Sequence, residues 1–542
     1  MNNKAGTTIQ QAVPFDYIIV GAGSSGCVLA DRLSADGTHR VLLLEAGSSH
    51  RHPFIDVPGA SIYALSMPRF DWGFRTEPDP TRNGRTEHWP RGRLLGGSSS
   101  TNGMVFVRGD PSDYDEWAAG GATGWSSADL LPLFQRMETT EIGDDSYRGR
   151  SGPLHVQYTW RTPKLTEMFV AACEELLIPF NPDYNSAKQE GVAFVQASQR
   201  RGRRHSSARA FLDRARHRRN LNVLTQARAT RILWEGKRAV GLEYIHKNAT
   251  FCARVSREVI LCAGAINSPQ LLMLSGVGNA NDLMGMYIEV VHALPAVGRN
   301  LMEHPNIALS REVTVRSLNS ETGLLRVGLN GLRWLLTGSG PASSAGVHGV
   351  AFIRTRPQEA RADIQLQFIP TMLAFRDGVV RVADHDGVTI TANVSRPHSR
   401  GFIRLRSPDP LASVQIQPNL FGDERDLQTL VRGAHLIERI FATRAFGQIS
   451  GHDERGAARS PEEWAALLRA SAGVTFHPSG TCKMGTGSEC VVDARLRVRG
   501  VESLRVADAS VFPTLISGNT NAAALVIGEK AADLILDDAR HA

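Results

Sequence analysis

The feature that most constrains this fold is a glycine-rich turn between two short apolar runs near the start of the sequence. Residues 17–20 are typical of a buried parallel strand, and they are followed at G-x-G-x-x-G spacing by Gly21, Gly23 and Gly26. These glycines permit a tight turn, close approach of the backbone to a pyrophosphate, and packing of a helix on the strand. A second run, residues 40–44, ends at Glu45, where a carboxylate can bind ribose hydroxyls. The pattern predicts a dinucleotide site, with NAD and FAD both open; a turn without a ligand is the alternative.

The length of the chain favours more than one domain. A chain of 542 residues exceeds what one hydrophobic core usually spans, so two large domains are expected. The 6 cysteines show no C-x-x-C spacing, so we predict neither a metal site nor a redox dithiol. The first dozen residues carry no apolar segment, and no run reaches the roughly 18–20 apolar residues that a membrane-spanning helix needs. We therefore expect a cytoplasmic protein with reduced thiols, with peripheral association to a membrane as the alternative.

The chain is basic, with a formal net charge of +7, and much of the excess lies in residues 200–220. This stretch lacks the interleaved aromatic residues and the motifs of a nucleic-acid-binding protein. We interpret it as a solvated helix face with some arginines near an anionic cofactor, so no nucleic-acid partner is predicted. RNA binding through this stretch is the competing interpretation outside the enzymes.

Strand-like segments far apart in the chain indicate a discontinuous nucleotide domain. Residues 221–224, 239–244 and 258–262 have the pattern of short strands, and the last of them leads into a helix predicted over residues 268–274. Residues 504–506 would add a further strand to the same sheet. The domain is therefore expected to draw on both ends of the chain.

A Gly/Ser-rich loop at residues 96–102 offers backbone N–H groups and hydroxyls to an anion. We interpret it as a second contact surface for the same cofactor, with a flexible linker as the alternative.

A block of different texture, residues 311–473, is predicted to form the substrate domain. Alternating runs at residues 363–368, 388–394 and 401–405 are typical of an antiparallel sheet with one covered face. Within this block, four leucines recur at helical spacing: Leu325, Leu329, Leu332 and Leu336. Core packing of this helix is favoured over a lid or a membrane-surface contact.

Two segments rich in small residues, 474–484 and 508–530, each carry a polar group suited to acting on a hydroxyl. His477 is the candidate base, because histidine titrates nearest to neutral pH, and Asn519 is the candidate hydrogen-bond partner. Taken alone, a His-Pro in a loop is more often structural, and the run around Asn519 would be read as a helix cap.

Several motifs in this order resemble the glucose-methanol-choline (GMC) flavoprotein oxidoreductases. Residues 16–45 resemble the FAD-binding start of the family, and GRLLGGSSSTNGM (92–104) and GAINSPQLLMLSGVG (264–278) resemble its two signatures. VGRNLMEHP (297–305), HPSGTCKMG and the DAS to GNTN stretch resemble further family segments. The chain looks most like the bacterial choline and alkanol dehydrogenase branch.

The resemblance implies an α/β fold, in which a discontinuous Rossmann-like FAD-binding domain is joined to an α+β substrate domain with a mostly antiparallel sheet. The FAD-binding domain is expected over residues 13–160, 190–310 and 475–540. The substrate domain is expected over residues 161–189 and 311–474.

The resemblance also implies the roles of individual residues. His477 matches the catalytic histidine of the family and Asn519 its partner. Apart from the resemblance, Phe476 and residues 343–348 are candidate pocket walls, with core packing as the alternative. Thr101 stands where members with covalent flavin carry histidine, so FAD is expected to be non-covalent. The implied cofactor contacts are Gly21, Gly23, Ser24, Ser25, Gly26, Glu45, Ala46, Arg93, Gly96, Gly97, Ser98, Asn102, Gly103, Met104, Ala229, Ala263, Gly264, Asp508, Ala509, Asn519 and Thr520.

The implied reaction is the oxidation of a primary alcohol to an aldehyde. His477 would take the hydroxyl proton while a hydride passes from the α-carbon to flavin N5. Electrons are expected to leave to a quinone-like carrier or another acceptor, with O2 as the alternative. A non-redox FAD lyase and a light-driven decarboxylase use the same scaffold and stand as second alternatives.

Overall fold

The nucleotide sheet is a mixed sheet of seven strands with the glycine turn at its centre. Phe15–Val20 pairs in parallel with Val41–Leu44 on one side and with the end of the long strand Ala249–Leu261 on the other. The remaining strands of this sheet are Leu221–Leu224, Ala227–Glu235, Arg238–His246 and Leu504–Val506. The computed structural model describes residues 13–65, 67–376, 379–449 and 459–541.

Glycines allow close packing at two places in this domain: between the first helix and the glycine turn, and between the last helix and the first. Ser24–Leu33 starts in the glycine turn, and Asn521–His541 packs on it. A Cβ atom at Gly26 would lie 2.0 Å from the carbonyl oxygen of Gly21, and one at Gly528 would lie 2.8 Å from the backbone of the first helix. Only glycine therefore permits this approach, which brings the carboxyl-terminal helix to the nucleotide turn.

The substrate sheet is an antiparallel sheet of six strands. Its strands, in order across the sheet, are Gly473–Val474, Pro305–Glu312, Gly387–Val394, Ile364–Ile369, Gly349–Ile353 and Gly191–Phe194. The predicted antiparallel sheet is confirmed for residues 363–368 and 388–394. Residues 401–405 also contain an antiparallel strand, but Phe402–Arg404 pairs with Gln415–Gln417 in a separate two-stranded sheet. An alternating run indicates a half-covered strand but does not indicate which sheet the strand joins.

The substrate sheet crosses the domain boundaries expected from the sequence. Gly191–Phe194 and most of Pro305–Glu312 belong to segments assigned to the FAD-binding domain, yet both are strands of this sheet. The boundaries at residues 190 and 310 therefore divide a hydrogen-bonded unit, because each strand continues directly from a segment of the nucleotide domain.

The remaining elements surround these two sheets. The helix predicted over residues 268–274 starts four residues earlier, at Gly264. The longer helices besides those already named are Pro111–Ala119, Ser127–Met137, Pro163–Glu175, Gly264–Leu274, Leu324–Thr337, Glu424–Phe441 and Pro461–Ser471. Short strand pairs are Phe74–Arg75 with His88–Trp89, Glu138–Thr139 with Leu154–His155, Gln157–Tyr158 with Gln196–Ala197, Gln199–Arg200 with Arg203–Arg204, Val277–Gly278 with His292–Ala293, and Leu373–Arg376 with Val379–Val382.

The sequence predicted that the arginine-rich stretch at residues 200–220 forms a solvated helix face, but the stretch does not form one continuous helix. It begins with the hairpin of Gln199–Arg200 and Arg203–Arg204, followed by short helical turns. Arg204 is buried and donates to Asn102 Oδ1 at 2.9 Å and to the carbonyl oxygen of Ser99 at 3.2 Å. This arginine holds the Gly/Ser loop in place, a role that charge counting along the sequence does not reveal.

The leucine-bearing helix, Leu324–Thr337, is not packed in the core, so the favoured prediction was wrong. Leu325 and Leu336 are each 77% exposed, and Leu329 and Leu332 are 58% and 54% exposed. Hydrophobic periodicity establishes that a helix has an apolar face but not that another element covers it. Among the described residues, no helix has the length and apolar character needed to cross a bilayer.

Candidate functional site

A single cavity connects the glycine turn with His477, and most residues predicted to contact the cofactor line it. Three predicted contacts lie behind the lining: Gly26 in the helix packing, Gly96 beside the turn, and Arg93 with its guanidinium over the ring of Trp72. The predicted residues that do line the cavity are Gly21, Gly23, Ser24, Ser25, Glu45, Ala46, Gly97, Ser98, Asn102, Gly103, Met104, Ala229, Ala263, Gly264, Phe476, His477, Asp508, Ala509, Asn519 and Thr520.

The glycine turn and the Gly/Ser loop form a cradle that larger residues would fill. Gly21 has φ +97°, and a Cβ there would lie 2.6 Å from the carbonyl oxygen of Cys262. Gly97 has φ +51°, and a Cβ there would lie 2.8 Å from the Cα of Gly23. The two loops therefore meet at backbone distance, at the start of the helix Ser24–Leu33 and beside the cavity. This arrangement fits the pyrophosphate of a dinucleotide such as FAD.

Glu45 is placed at the end of its strand, as the motif predicts. Its Oε2 accepts from the backbone N–H of Ala22 at 3.0 Å, and its Oε1 accepts from that of Gly47 at 2.7 Å. Burial raises the pKa of Glu45 to about 7, against the opposing effect of these two hydrogen bonds. Each carboxylate oxygen retains acceptor capacity for a ribose hydroxyl.

His477 and Asn519, which lie 42 positions apart in the chain, meet at the other end of the cavity. The Nδ2 of Asn519 lies 3.4 Å from the Nε2 of His477. The Oδ1 of Asn519 accepts from Gln365 Nε2 at 3.1 Å and from Gln367 Nε2 at 3.4 Å. Because its oxygen is held by these two donors on the substrate sheet, the amide turns its NH2 group toward the histidine.

The proton positions on His477 follow from a second histidine, His304. The Nε2 of His304 lies 3.0 Å from the carbonyl oxygen of Ser395 and 3.1 Å from that of Ile516, so this nitrogen carries the proton. Burial lowers the pKa of His304 to about 4, so the ring is neutral and its Nδ1 is an acceptor. His477 Nδ1 lies 2.9 Å from that acceptor and must donate to it. The Nε2 of neutral His477 is therefore unprotonated, beside Asn519.

Further groups support the neutral form of His477. Burial holds the pKa of His477 well below its ordinary value, and the positive charge of Arg91 acts in the same direction. Thr475 Oγ1 lies 2.8 Å from His477 Nδ1 and can share its proton. Glu303 Oε1 accepts from the backbone N–H of His477 at 2.8 Å, and burial raises the pKa of Glu303 to about 8. The site therefore holds a base that is ready to accept a proton.

The residue before the histidine has a strained backbone. Phe476 has φ +62°, the left-handed region that residues other than glycine rarely adopt. Its carbonyl oxygen accepts from Arg91 Nη2 at 2.7 Å, which holds this conformation. The strain costs about 1–3 kcal/mol in general and is found where the surrounding structure fixes a functional residue. Here it orients His477 toward the cavity.

Sequence reasoning missed the residues that act on His477 from other segments. His304 and Glu303 lie in a family-like segment, but their type and spacing gave no role. Of the other expected pocket walls, residues 343–348, only Val347 lines the cavity. Gln365 and Gln367 could have been recognised from the sequence. They alternate with apolar residues on a buried strand, so both side chains lie on one face of the sheet and indicate a polar site there.

Comparisons with known proteins place this geometry in a family. The GMC oxidoreductase profiles match residues 15–306 and 397–528. A mitochondrial choline dehydrogenase of Mus musculus is 41% identical over 533 residues, which cover 96% of this chain and 89% of that protein. An alcohol dehydrogenase (acceptor) of Pseudomonas putida is 40% identical over 532 residues, 96% of both chains. The crystal structure of a pyridoxine 4-oxidase from "Mesorbium loti" superposes with a TM-score of 0.87 at 29% identity, over 97% of this chain and 99% of that one.

Proposed function

Because this chain belongs to the GMC oxidoreductase family, we propose that it oxidises a neutral primary alcohol to the aldehyde, with non-covalently bound FAD and a quinone-like electron acceptor. The observation that carries the proposal is the unprotonated Nε2 of His477 beside the NH2 group of Asn519. This pair offers an acceptor for a hydroxyl proton and a donor for the hydroxyl oxygen.

The residues of the chain perform the proton transfer and the orientation. A bound FAD supplies the hydride acceptor. The substrate hydroxyl donates to His477 Nε2 and accepts from Asn519 Nδ2, so the hydroxyl is held in one orientation. His477 then takes the proton on Nε2, while His304 keeps the Nδ1 proton in place. A positioned base of this kind contributes about 10² to 10⁴ in rate.

The charges around the cavity favour a neutral alcohol over a quaternary ammonium. Glu45 and Asp508 are the carboxylates that line the cavity within the described ranges, and both are bound to backbone N–H groups of the nucleotide domain. Near His477 the charged lining residue is Arg91, which would repel a cationic substrate. Glu303 lies behind the histidine and, with its pKa near 8, does not offset that charge at neutral pH. The charge of Arg91 beside the base therefore favours a neutral alcohol over choline.

Non-covalent attachment of FAD rests on the residue at position 101. Thr101 lines the cavity, and its hydroxyl cannot form a histidyl link to the flavin ring. Among the described residues, His477 is the histidine of the lining, and its two ring nitrogens are engaged as base and as donor to His304.

Relatives of this chain are named for different electron acceptors. The P. putida relative is named for an unspecified acceptor, whereas relatives from Brucella anthropi and other bacteria are named oxygen-dependent choline dehydrogenases. We favour a quinone-like carrier and keep O2 as the alternative.

Anaerobic mixing of the purified flavoprotein with an alcohol panel tests the reaction. We expect aliphatic or aromatic primary alcohols to bleach the flavin and choline to bleach it slowly. Reoxidation by a quinone analogue should then be faster than reoxidation by air. Substitution His477→Ala should slow bleaching by about 10² to 10⁴ with FAD still bound. Absence of bleaching by any alcohol in the dark would refute the proposal and favour a lyase or a light-driven decarboxylase.

A further inference from the structure

The helix Leu324–Thr337, called here the exposed helix, presents an apolar face with no protein partner among the described residues. Trp334 is its buried residue, whereas most of its other apolar side chains are more than half exposed. These are Leu324, Leu325, Val327, Leu329, Leu332, Leu335 and Leu336, with exposures from 54% to 94%. Soluble proteins rarely expose so continuous an apolar surface unless it contacts a membrane or a partner.

The exposed helix is firmly attached at its carboxyl end. Trp334 Nε1 donates to the carbonyl oxygen of Gly202 at 2.7 Å, and the guanidinium of Arg203 lies 4.3 Å from the Trp334 ring centroid. Near the start of the helix, Arg326 donates to Glu321 at 2.9 Å. These contacts fix the orientation of the helix. Trp334 anchors it to the protein, and its leucine side chains face away from the protein.

Exposed aromatic residues extend the same surface. The turn after the exposed helix, Pro341–Ser343, packs against Pro58–Ala60, where Gly59 lies beside Pro341. On either side of Pro58–Ala60, Phe54 is 40% exposed and Tyr63 is 60% exposed, with ring centroids 6.2 Å apart. Aromatic rings of this kind are favoured at the boundary between lipid and water.

The charges around the exposed helix are positive and largely unpaired. Arg200, Arg201 and Arg203 lie on the hairpin beside its carboxyl end, and Arg333 lies on the helix itself. No carboxylate of the described residues forms an ion pair with these four arginines. The carboxylates that face the same region, Glu321 and Asp56, are already paired, with Arg326 and Arg209 respectively.

We infer that the exposed helix and the arginines beside it dock this enzyme onto an anionic membrane surface. An apolar face bordered by Arg inserts its side chains at the headgroup boundary, while the guanidinium groups contact lipid phosphates. A second protein copy would present the same positive rim, so charge complementarity favours anionic lipid over self-association. The chain leads directly from this helix to Val347 in the cavity wall, so the docked face lies close in sequence to the active-site pocket.

Vesicle co-sedimentation of the FAD-loaded enzyme tests this inference. One set of vesicles contains phosphatidylglycerol and phosphatidylcholine in equal parts, and the other contains phosphatidylcholine alone. We expect clear binding to the anionic set, weakened by salt, and little binding to the neutral set. The double variant Leu325→Gln, Leu336→Gln should bind roughly tenfold more weakly for each leucine replaced.

The controls separate docking from folding and from self-association. Glutamine matches leucine in helix propensity, so the double variant should keep its FAD and its alcohol-dependent bleaching. A matched pair, Leu177→Gln with Tyr287→Gln, removes side chains that are 92% and 99% exposed elsewhere and should bind vesicles like the parent. Failure of the parent to bind anionic vesicles, or equal binding by the double variant, would overturn the inference. So would a lipid-free dimer that the double variant dissociates, which would assign the face to a second copy.

Discussion

Replacement of His304 tests whether this residue fixes the proton on His477. His304→Asn keeps an oxygen near the position of the ring Nδ1, and that oxygen can still accept from His477 Nδ1–H. His304→Leu removes the acceptor. Both variants lose the N–H that now donates to the carbonyl oxygens of Ser395 and Ile516, so they share a stability cost of about 1–3 kcal/mol. The pair therefore differs mainly in the acceptor for His477.

The size of the effect follows from the lost hydrogen bond. A neutral hydrogen bond contributes about 0.5–1.5 kcal/mol net, which changes the ratio of the two His477 tautomers by a factor of about 2–12. Thr475 Oγ1 lies 2.8 Å from His477 Nδ1 and can accept a hydrogen bond from it when His304 is replaced. The effect of the single substitution His304→Leu should therefore be near twofold, the lower limit of this range. His304→Leu combined with Thr475→Val should slow the reaction by more than the product of the two single effects.

The measurement is anaerobic stopped-flow reduction of the flavin at saturating alcohol, on preparations matched for FAD content. We expect the order parent, His304→Asn, His304→Leu and the double variant, from fastest to slowest. Equal rates for the asparagine and leucine variants would show that the acceptor at this position does not control His477. A leucine variant as fast as the parent would refute the reasoning altogether.

Three further predictions concern pH and the cofactor. Because the pKa of His477 lies well below its ordinary value, anaerobic kcat/KM should stay level from pH 8 down to pH 6; a decline governed by an apparent pKa of 7 or above would contradict this. Glu303 keeps its proton up to about pH 8 when folded but ionises near 4.5 when unfolded, so it makes the fold less stable as pH rises through that window. Glu303→Gln should therefore stabilise the fold more at pH 8 than at pH 5.5. The gain in unfolding free energy should grow by up to roughly 1.4 kcal/mol per pH unit between them, and it is measured from the thermal midpoints; equal gains would refute the assignment. Acid precipitation should leave the yellow flavin in the supernatant, whereas a yellow pellet would show a covalent link.

The nucleotide end of the molecule could be predicted because its determinants are local. Three glycines, two apolar runs and Glu45 lie within about thirty residues, and each has a direct backbone or burial requirement. The strand predicted at residues 504–506 is confirmed. Its place in the sheet, beside Ala249–Leu261, agrees with the expected return of the chain end.

The active-site end could be predicted only in part, since its determinants are far apart in the chain. His477 and Asn519 were candidates from their residue types and their small-residue segments, and the family resemblance added their catalytic roles. The groups that set their orientation, His304, Gln365 and Gln367, come from other strands and become neighbours only when the substrate sheet forms. The position of the exposed helix could not be predicted either, because an apolar stripe has the same sequence pattern whether protein or lipid covers it.

The choice of histidine rather than a carboxylate beside His477 has a chemical consequence. A carboxylate at this position would stabilise the imidazolium and raise the pKa of His477, so the base would be partly protonated before the alcohol arrived. Neutral His304 selects the same tautomer without that effect. Once His477 has taken the substrate proton, its positive charge lowers the pKa of nearby Glu303, which lies near 8 beforehand. Ionisation of Glu303 would then stabilise the protonated histidine, so the site favours the neutral base before the reaction and its charged form afterwards.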